Sequence, residues 1–324
     1  MSRILVTGAN GNVGRALTPR LAAAGYELTL ALRRPRPVGA EGRGTQREIV
    51  VGEISGKTDW REALRECSAV VHLAGQIPAR GVTEERFRIV NDEATAQLAE
   101  QAAACGVRLF ILMSSMAAVT DNASDEVVSD ATLPLPVSPY GRSKLAAERH
   151  VVAFASSGLA GVSLRPPMIY GASAGGSWGQ LQKLAATGLP LPFGAVHNRR
   201  SGLSIDNLNN AVVTVISAGD KAPGGAFVVA DSDPISLSEM LSLLRKGMGL
   251  PPRLVPVPPY LLSGPLRLAG KRTLANSLFG DLVIDACRFR EAFGWSPPEK
   301  VGEAVVRSGA CYVADRRGAP PYGH

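Results

Sequence analysis

Apolar residues in this chain gather into short dense runs, separated by stretches in which they recur at helical spacing. Arg3-Ile4-Leu5-Val6-Thr7 is an apolar run ending in a glycine-rich turn, and Asn12 to Ala24 then carries helical spacing. Tyr26 to Leu32 is a second β-rich run. An amphipathic stretch from Thr58 to Cys67 leads into a third, Ala69-Val70-Val71-His72-Leu73-Ala74. Thr83 to Ala104 reads as a long helix, Val107 to Met113 as a buried strand, Pro139 to Ser156 as another helix and Val162 to Arg165 as a strand. Strands that alternate with helices predict a parallel sheet with helices on both faces, an α/β fold.

Beyond Arg165-Pro166-Pro167 the pattern loosens. Gly171 to Gly179 and Leu189 to Arg200 read as loop-rich, and Pro251 to Pro265 is dense in proline. The expected organisation is a sheet unit over 1–170 and a smaller mixed lobe over 171–315. That lobe is expected to return to the main sheet near Leu203-Ser204-Ile205 and Ala226-Phe227-Val228-Val229, with a flexible tail at 316–324. No internal repeat and no coiled coil is visible.

Composition narrows the class. With 45% hydrophobic and 19% charged residues in 324, the chain holds enough apolar material for a sizeable core, which excludes a mainly disordered protein. No apolar run reaches the ~18 residues of a membrane span, and Met1-Ser2-Arg3 runs straight into a strand without a signal peptide. A cytoplasmic protein with no membrane partner is expected. The net charge is +7, and five arginines (Arg33, Arg34, Arg36, Arg43, Arg47) crowd a short stretch, as a phosphate site or a solvated basic loop would. Aromatics at 5% leave no stacking platform among the basic residues, so nucleic acid is not an expected partner. Cys67, Cys105, Cys287 and Cys311 lie far apart without a CxxC pair, so neither a metal site nor a disulfide framework is expected.

The turn after the first strand reads Thr7-Gly8-Ala9-Asn10-Gly11-Asn12-Val13-Gly14. Glycines there permit a tight turn, approach of backbone N–H groups to a pyrophosphate, and close packing of helix on strand. Glycine also ends strands for structural reasons alone. Its position between an N-terminal strand and a helix points to dinucleotide binding. The TGxxGxxG spacing resembles the extended short-chain dehydrogenase/reductases, which implies a Rossmann-like, doubly wound parallel sheet. In that resemblance the second strand ends at Leu32, where an NAD enzyme has an acid for the ribose hydroxyls, and Arg33-Arg34 follow. Arginine forks suit a 2′-phosphate, so NADP(H) is favoured, with NAD(H) possible if both arginines face solvent. The resemblance also sets Glu53-Ile54 against adenine, Leu73-Ala74-Gly75 beside the cofactor, and Asn91 at a helix asparagine position.

Tyr140-Gly141-Arg142-Ser143-Lys144 matches YxxxK, preceded by Pro139 at a helix start. Four-residue separation on a helix puts both side chains on one face. A lysine ammonium is expected to lower the tyrosine pKa from ~10, so that Tyr140 exchanges a proton with an alcohol or carbonyl oxygen while hydride moves to or from nicotinamide. UDP-galactose 4-epimerase-like members carry a third hydroxyl where this chain has Met116. Either Ser115 takes that role, as the Ser-Ser-apolar pattern of dihydroflavonol reductase-like members implies, or the contact to the substrate oxygen is weakened; Ser115 is the expectation carried forward. Arg165-Pro166-Pro167-Met168-Ile169-Tyr170-Gly171 resembles the family's RPxxxYG segment beside the nicotinamide, with Met168 replacing a frequent phosphate-binding asparagine.

The carboxyl half is similar to a branch of bacterial nucleotide-sugar enzymes, on Leu191-Pro192-Phe193-Gly194, Asn198 to Ser201, Ile205 to Leu208, Arg253 to Pro258 and Phe293 to Pro298. That similarity implies 4-epimerase or 4-ketoreductase chemistry on UDP-linked sugars. Arg200 aligns with an arginine that clamps the UDP pyrophosphate; the alternative is a loop arginine paired with a carboxylate such as Asp206. The catalytic set expected is Tyr140, Lys144 and Ser115, with Met116, Met168 and Arg200 joining Ser115 and Tyr140 around substrate. An NADPH-dependent 4-ketoreductase is the first reading, an NAD-dependent 4-epimerase the second, and a non-catalytic cofactor-sensing scaffold the third. A homodimer through the helices at 83–104 and 139–156 is expected by analogy.

Overall fold

The apolar runs of the amino-terminal half become adjacent strands because each is greasy on both sides and needs helices on both faces. The computed structural model describes residues 2–35, 46–120, 123–172 and 175–316; Arg36, Arg43 and the expected tail beyond Arg316 lie outside them. Strands β1 (Arg3–Thr7), β2 (Glu27–Leu32), β3 (Gln46–Val50), β4 (Cys67–His72), β5 (Leu109–Met113), β6 (Ala160–Arg165) and β9 (Gly225–Val228) form one sheet in the order β3-β2-β1-β4-β5-β6-β9. Every pairing in it is parallel. The chain leaves β3 at one edge and re-enters at β4 on the other side of β1. This is the reversal beside which open α/β sheets bind ligands.

On one face of the sheet, Leu17 and Leu21 of α1 (Asn12–Ala23) and Leu208, Val212 and Val215 of α7 (Ile205–Ala218) pack on Ile4, Val6, Val71 and Ile111. The other face carries Trp60 at the N-cap of the short α2 (Arg61–Leu64) with Ala63 and Leu64 within it, Leu98 of α4 (Ala94–Ala104), and Val151 and Phe154 of α5 (Pro139–Ala155). The predicted helix from Thr83 is built of α3 (Glu84–Phe87), a π segment (Arg88–Glu93) and α4. Strand β3 is absent from the sequence expectation. It is an edge strand with charged, half-buried positions, Gln46-Arg47-Glu48, and lacks the dense apolar run of its neighbours.

In the carboxyl half β9 joins the main sheet beside β6, as expected near 226–229. The return expected near Leu203-Ser204-Ile205 goes elsewhere: β8 (Gly202–Ser204) pairs in parallel with β7 (Met168–Tyr170) in a separate two-stranded sheet. A buried carboxylate holds that pair apart. Asp231 accepts from Tyr170 Oη at 2.5 Å, from the Ser204 amide at 3.0 Å and from Asn207 Nδ2 at 2.7 Å. Helix α6 (Gly176–Ala185) replaces part of the loop expected at 171–179; its glycines masked an apolar face that buries Trp178 and Leu181. With α8 (Leu237–Gly247) and α12 (Val301–Arg316) it encloses a third core. The proline-dense stretch yields α9 (Pro259–Leu268), with proline in its first turn, followed by α10 (Arg272–Phe279) and α11 (Cys287–Phe293).

Candidate active site

The turn after β1 is shaped by side chains that are missing. Gly8 has φ +69°, and a Cβ there would lie 2.7 Å from the Ala74 amide nitrogen. At Gly14 a Cβ would come within 2.4 Å of the Gly8 carbonyl oxygen, so α1 rests directly on the turn. Gly11 is the N-cap of α1, in extended conformation and with no side chain to satisfy the first-turn amides of Asn12, Val13 and Gly14. Those amides and the positive end of the helix dipole are suited to a pyrophosphate. Val13 packs on the core below, and Arg15 Nε donates to the Asn10 carbonyl at 2.8 Å, pinning the loop.

Around this turn opens a cavity of about 900 Å³ whose lining includes Gly8, Asn10, Gly11, Leu32, Arg33, Arg34, Glu53, Ile54, Leu73, Ala74 and Gly75. These expected cofactor residues, from four separate sequence segments, therefore share one cleft at the carboxyl ends of β1, β2 and β4. Arg86 also lines it, a residue that sequence reasoning missed because nothing in its helical segment marked it. Its guanidinium binds Glu53 at 2.5 Å, and Arg33 lies 3.9 Å from the same carboxylate. Together they hold the Glu53 carboxyl below the usual carboxylate range, chiefly through the Arg86 hydrogen bond.

A second missed element sits under Ala74. Buried His72 lies between Thr7 Oγ1 at 2.7 Å and Thr95 Oγ1 at 3.1 Å, and Thr95 spends its hydroxyl hydrogen on the Asn91 carbonyl at 2.6 Å. His72 Nε2 must then carry the proton and donate to Thr95, leaving Nδ1 to accept from Thr7. Thr7 Oγ1 in turn accepts from the Ala74 amide at 3.1 Å. Burial keeps this imidazole neutral, with a pKa near 3. The relay ties the Ala74 backbone to the π segment that holds Asn91. Asn91 itself grips Gln76, accepting from its amide at 2.7 Å and donating to its carbonyl at 3.0 Å, and reaches Ser143 Oγ at 2.9 Å.

The YxxxK pair, Tyr140 and Lys144, is carried by α5, whose N-cap Ser138 accepts from the Gly141 amide. Gly141 is required: a Cβ there would sit 2.0 Å from the Ala117 carbonyl oxygen in the turn after β5. That close approach seats the start of α5 on the turn that carries Ser115, whose side chain acts on the Tyr140 hydroxyl. Ser115 is also the N-cap of the Met116–Ala118 turn, accepting from the Ala117 amide at 3.2 Å. Lys144 is buried, donates to the Met113 carbonyl at 2.8 Å, and would contact a Cβ placed on Gly75 at 3.2 Å. One side of the dinucleotide cleft and the YxxxK pair thus meet at Gly75.

Two details depart from expectation. The Tyr140 hydroxyl is pushed above its ordinary 10 by burial, with the Ser115 hydrogen bond opposing. Burial lowers Lys144 from 10.5 to about 8, against the pull of Glu148. In this arrangement the Lys144 ammonium serves a strand carbonyl, and burial, opposed by Ser115, sets the direction in which Tyr140 is shifted. Below the pair lies a buried bidentate contact, Arg165 to Glu148 at 2.9 and 2.6 Å, to which Ser114 Oγ adds a donor at 2.5 Å. Glu148 falls four residues after Lys144 on α5, a spacing from which it was legible.

The expected substrate residues divide. Ser115 and Tyr140 meet, and Pro166 is buried beside them, its carbonyl accepting from the Met116 amide at 3.0 Å. The Met116 side chain instead joins a closed apolar cluster with Val119, Val128, Val228, Leu282 and Ile284. Met168 is half-buried on β7 against the third core. Arg200 is not paired with Asp206, which binds Arg20 and Arg307. Its Nη1 donates to the carbonyls of Asn276 at 3.3 Å and Gly280 at 2.9 Å, clasping the end of α10. Among the described residues no group of acids, histidines and cysteines is placed to hold a metal ion.

Residues 4–230 match the NAD dependent epimerase/dehydratase family. The chain is 32% identical to a UDP-glucose 4-epimerase of Vibrio cholerae, over 96% of this chain and 95% of that one. It is 30% identical to a ceramide reductase of Caulobacter vibrioides, over 86% and 81%. Among solved structures, MoeE5 in complex with UDP-glucose and NAD superposes with a TM-score of 0.77 at 24% identity, covering 98% of this chain and 100% of that one. A Bacillus cereus UDP-N-acetylglucosamine 4-epimerase gives 0.78 at 19%, covering 96% and 99%. Glycine turn, cleft, YxxxK pair and these likenesses agree: the chain belongs to the NAD dependent epimerase/dehydratase family of extended short-chain dehydrogenase/reductases and is an enzyme of the NAD(P)-dependent oxidoreductase/epimerase class.

Proposed function

We propose that this enzyme is an NADPH-dependent ketoreductase acting at C4 of a UDP-linked sugar. The observation that carries the cofactor choice is the end of β2. Leu32 is buried where a carboxylate for the ribose hydroxyls would stand, and exposed Arg33 and Arg34 line the cleft directly after it. Glu53 offsets part of the Arg33 charge from 3.9 Å and leaves Arg34 for a 2′-phosphate. When bound, the nicotinamide supplies or receives a hydride. The amides at Asn12 to Gly14 would hold the pyrophosphate, and Asn91 and Lys144, both at Gly75, would position the nicotinamide end. Tyr140 gives the proton to the carbonyl oxygen, and Ser115 hydrogen-bonds that oxygen. The raised Tyr140 pKa keeps the hydroxyl protonated at neutral pH, the form a reductase needs.

The substrate class rests on the carboxyl-half segments around 191–208 and on the likeness to a UDP-glucose 4-epimerase. That relative favours a second reading, a 4-epimerase with retained NAD, in which Tyr140 accepts and returns the same proton. A homodimer through the helices at 84–104 and 139–155 accompanies either reading. Side-by-side titration with NADPH and NADH separates them: preference for exchangeable NADPH supports the reductase, and NAD retained through purification supports the epimerase. The Arg33→Ala, Arg34→Ala double variant is expected to weaken NADPH about tenfold or more and NADH little; equal loss for both removes the 2′-phosphate argument.

A further inference from the structure

The helical hairpin α9–α10 is poorly served by the rest of the fold. Helix α9, Pro259-Tyr260-Leu261-Leu262-Ser263-Gly264-Pro265-Leu266-Arg267-Leu268, buries none of its side chains fully. At 3.6 residues per turn, Tyr260, Leu261 and Leu268 fall within about 100° of one another around its axis. They are 71%, 54% and 91% exposed. Gly264 lies on the same face, and a Cβ there would meet nothing within 4 Å. Leu262 and Leu266, on the opposite side, are half-buried. Leu274 of α10 adds a further exposed apolar side chain.

Charge is arranged to match. No carboxylate occurs between Glu239 and Asp281, whereas Arg253, Arg267, Lys271 and Arg272 are all exposed within that interval. An outward apolar strip whose charged neighbours along the helix pair are all cations, on a helix too short to cross a bilayer, has the composition of an interfacial element. The cations alone would suit any polyanion, and the leucines alone any apolar partner. An anionic phospholipid surface satisfies both, with acyl chains under the strip and headgroups around the basic rim.

We propose that α9–α10 docks this enzyme peripherally on an anionic membrane surface through Tyr260, Leu261 and Leu268, with Arg267, Lys271 and Arg272 at headgroup level. The expectation of no membrane partner rests on the absence of a run long enough to span, and peripheral docking requires no span. The contact is independent of the proposed reaction.

Flotation of the full chain with vesicles of phosphatidylcholine alone, or of phosphatidylcholine with about 30% phosphatidylglycerol, tests it. Binding is expected to the anionic vesicles only and to fall steeply as salt approaches 1 M, where the Debye length is about 3 Å. Leu261→Ser with Leu268→Ser, which changes no charge, is expected to cut binding at least tenfold while turnover of a water-soluble substrate is unchanged. Arg267→Ser with Lys271→Ser is expected to do the same. The proposal is overturned by absence of binding to anionic vesicles at low salt. Binding that survives the leucine substitutions overturns it as well, since net charge alone then accounts for the association. A shift from dimer to monomer in the leucine variant, seen by sedimentation without vesicles, would assign the strip to a second copy instead.

Discussion

The dinucleotide cleft and the Arg200–α10 region are built on opposite terms. In the cleft and on the adjoining start of α5, absent side chains do the shaping: Gly8, Gly14 and Gly141 sit where a Cβ would come within 2.7, 2.4 and 2.0 Å of backbone. Around Arg200, a long cationic side chain does it, clasping the carbonyls of Asn276 and Gly280. Arg245 repeats the device at the neighbouring helix, fully buried and donating to the carbonyls of Ala185, Leu189 and Pro252, with no carboxylate partner among the described residues. A missing Cβ at a fixed spacing has few uses. An arginine has many, and its partner is settled only when distant segments meet.

The largest effect expected lies in the first region. Tyr140→Phe is predicted to lower turnover by about 10²–10⁴-fold with cofactor affinity nearly unchanged, read by steady-state kinetics beside a binding titration. Retained activity would remove the proton-transfer role. Next, Gly8→Ala forces a Cβ against Ala74 at a left-handed φ and is expected to weaken cofactor binding at least tenfold, at a cost of roughly 1–3 kcal/mol in stability. Unchanged affinity would mean that the turn does not cradle the dinucleotide.

Arg200→Met probes the second region. It strips a donor from two carbonyls and is expected to cost about 1–3 kcal/mol in chemical denaturation. A large rise in KM for a UDP-sugar with stability intact would make Arg200 a diphosphate ligand after all, and the contrast between the regions would fail. The smallest effect concerns pH. Lys144 is lowered to about 8 from 10.5, so between those values the unfolded chain binds more protons than the folded one, and stability rises with pH. Above 10 the raised Tyr140 pKa acts in the opposite direction, because the folded chain then holds the extra proton. The thiols of Cys67, Cys287 and Cys311, raised above 9.0, oppose this gain at about pH 9–10, so the Lys144 part is read as the difference between the stability–pH curves of the protein and its Lys144→Met variant, in which the rise from about pH 8 is expected to be smaller.

By itself the sequence determined the α/β class, most strands of the main sheet and the glycine turn, and it set Tyr140 and Lys144 about one helical turn apart on α5. Each of these depends on spacing along the chain: two residues per strand repeat, 3.6 per helical turn, or a glycine at a set offset. Tertiary structure alone decided the rest. It made an edge strand of Gln46–Val50, sent Gly202–Ser204 to β7 because Asp231 collects Tyr170, Ser204 and Asn207, and closed Met116 into a core. It also gave Lys144 to the Met113 carbonyl and raised Tyr140 by burial against the pull of Ser115. Such outcomes turn on which buried polar group finds which partner across tens of residues, and no local periodicity carries that information.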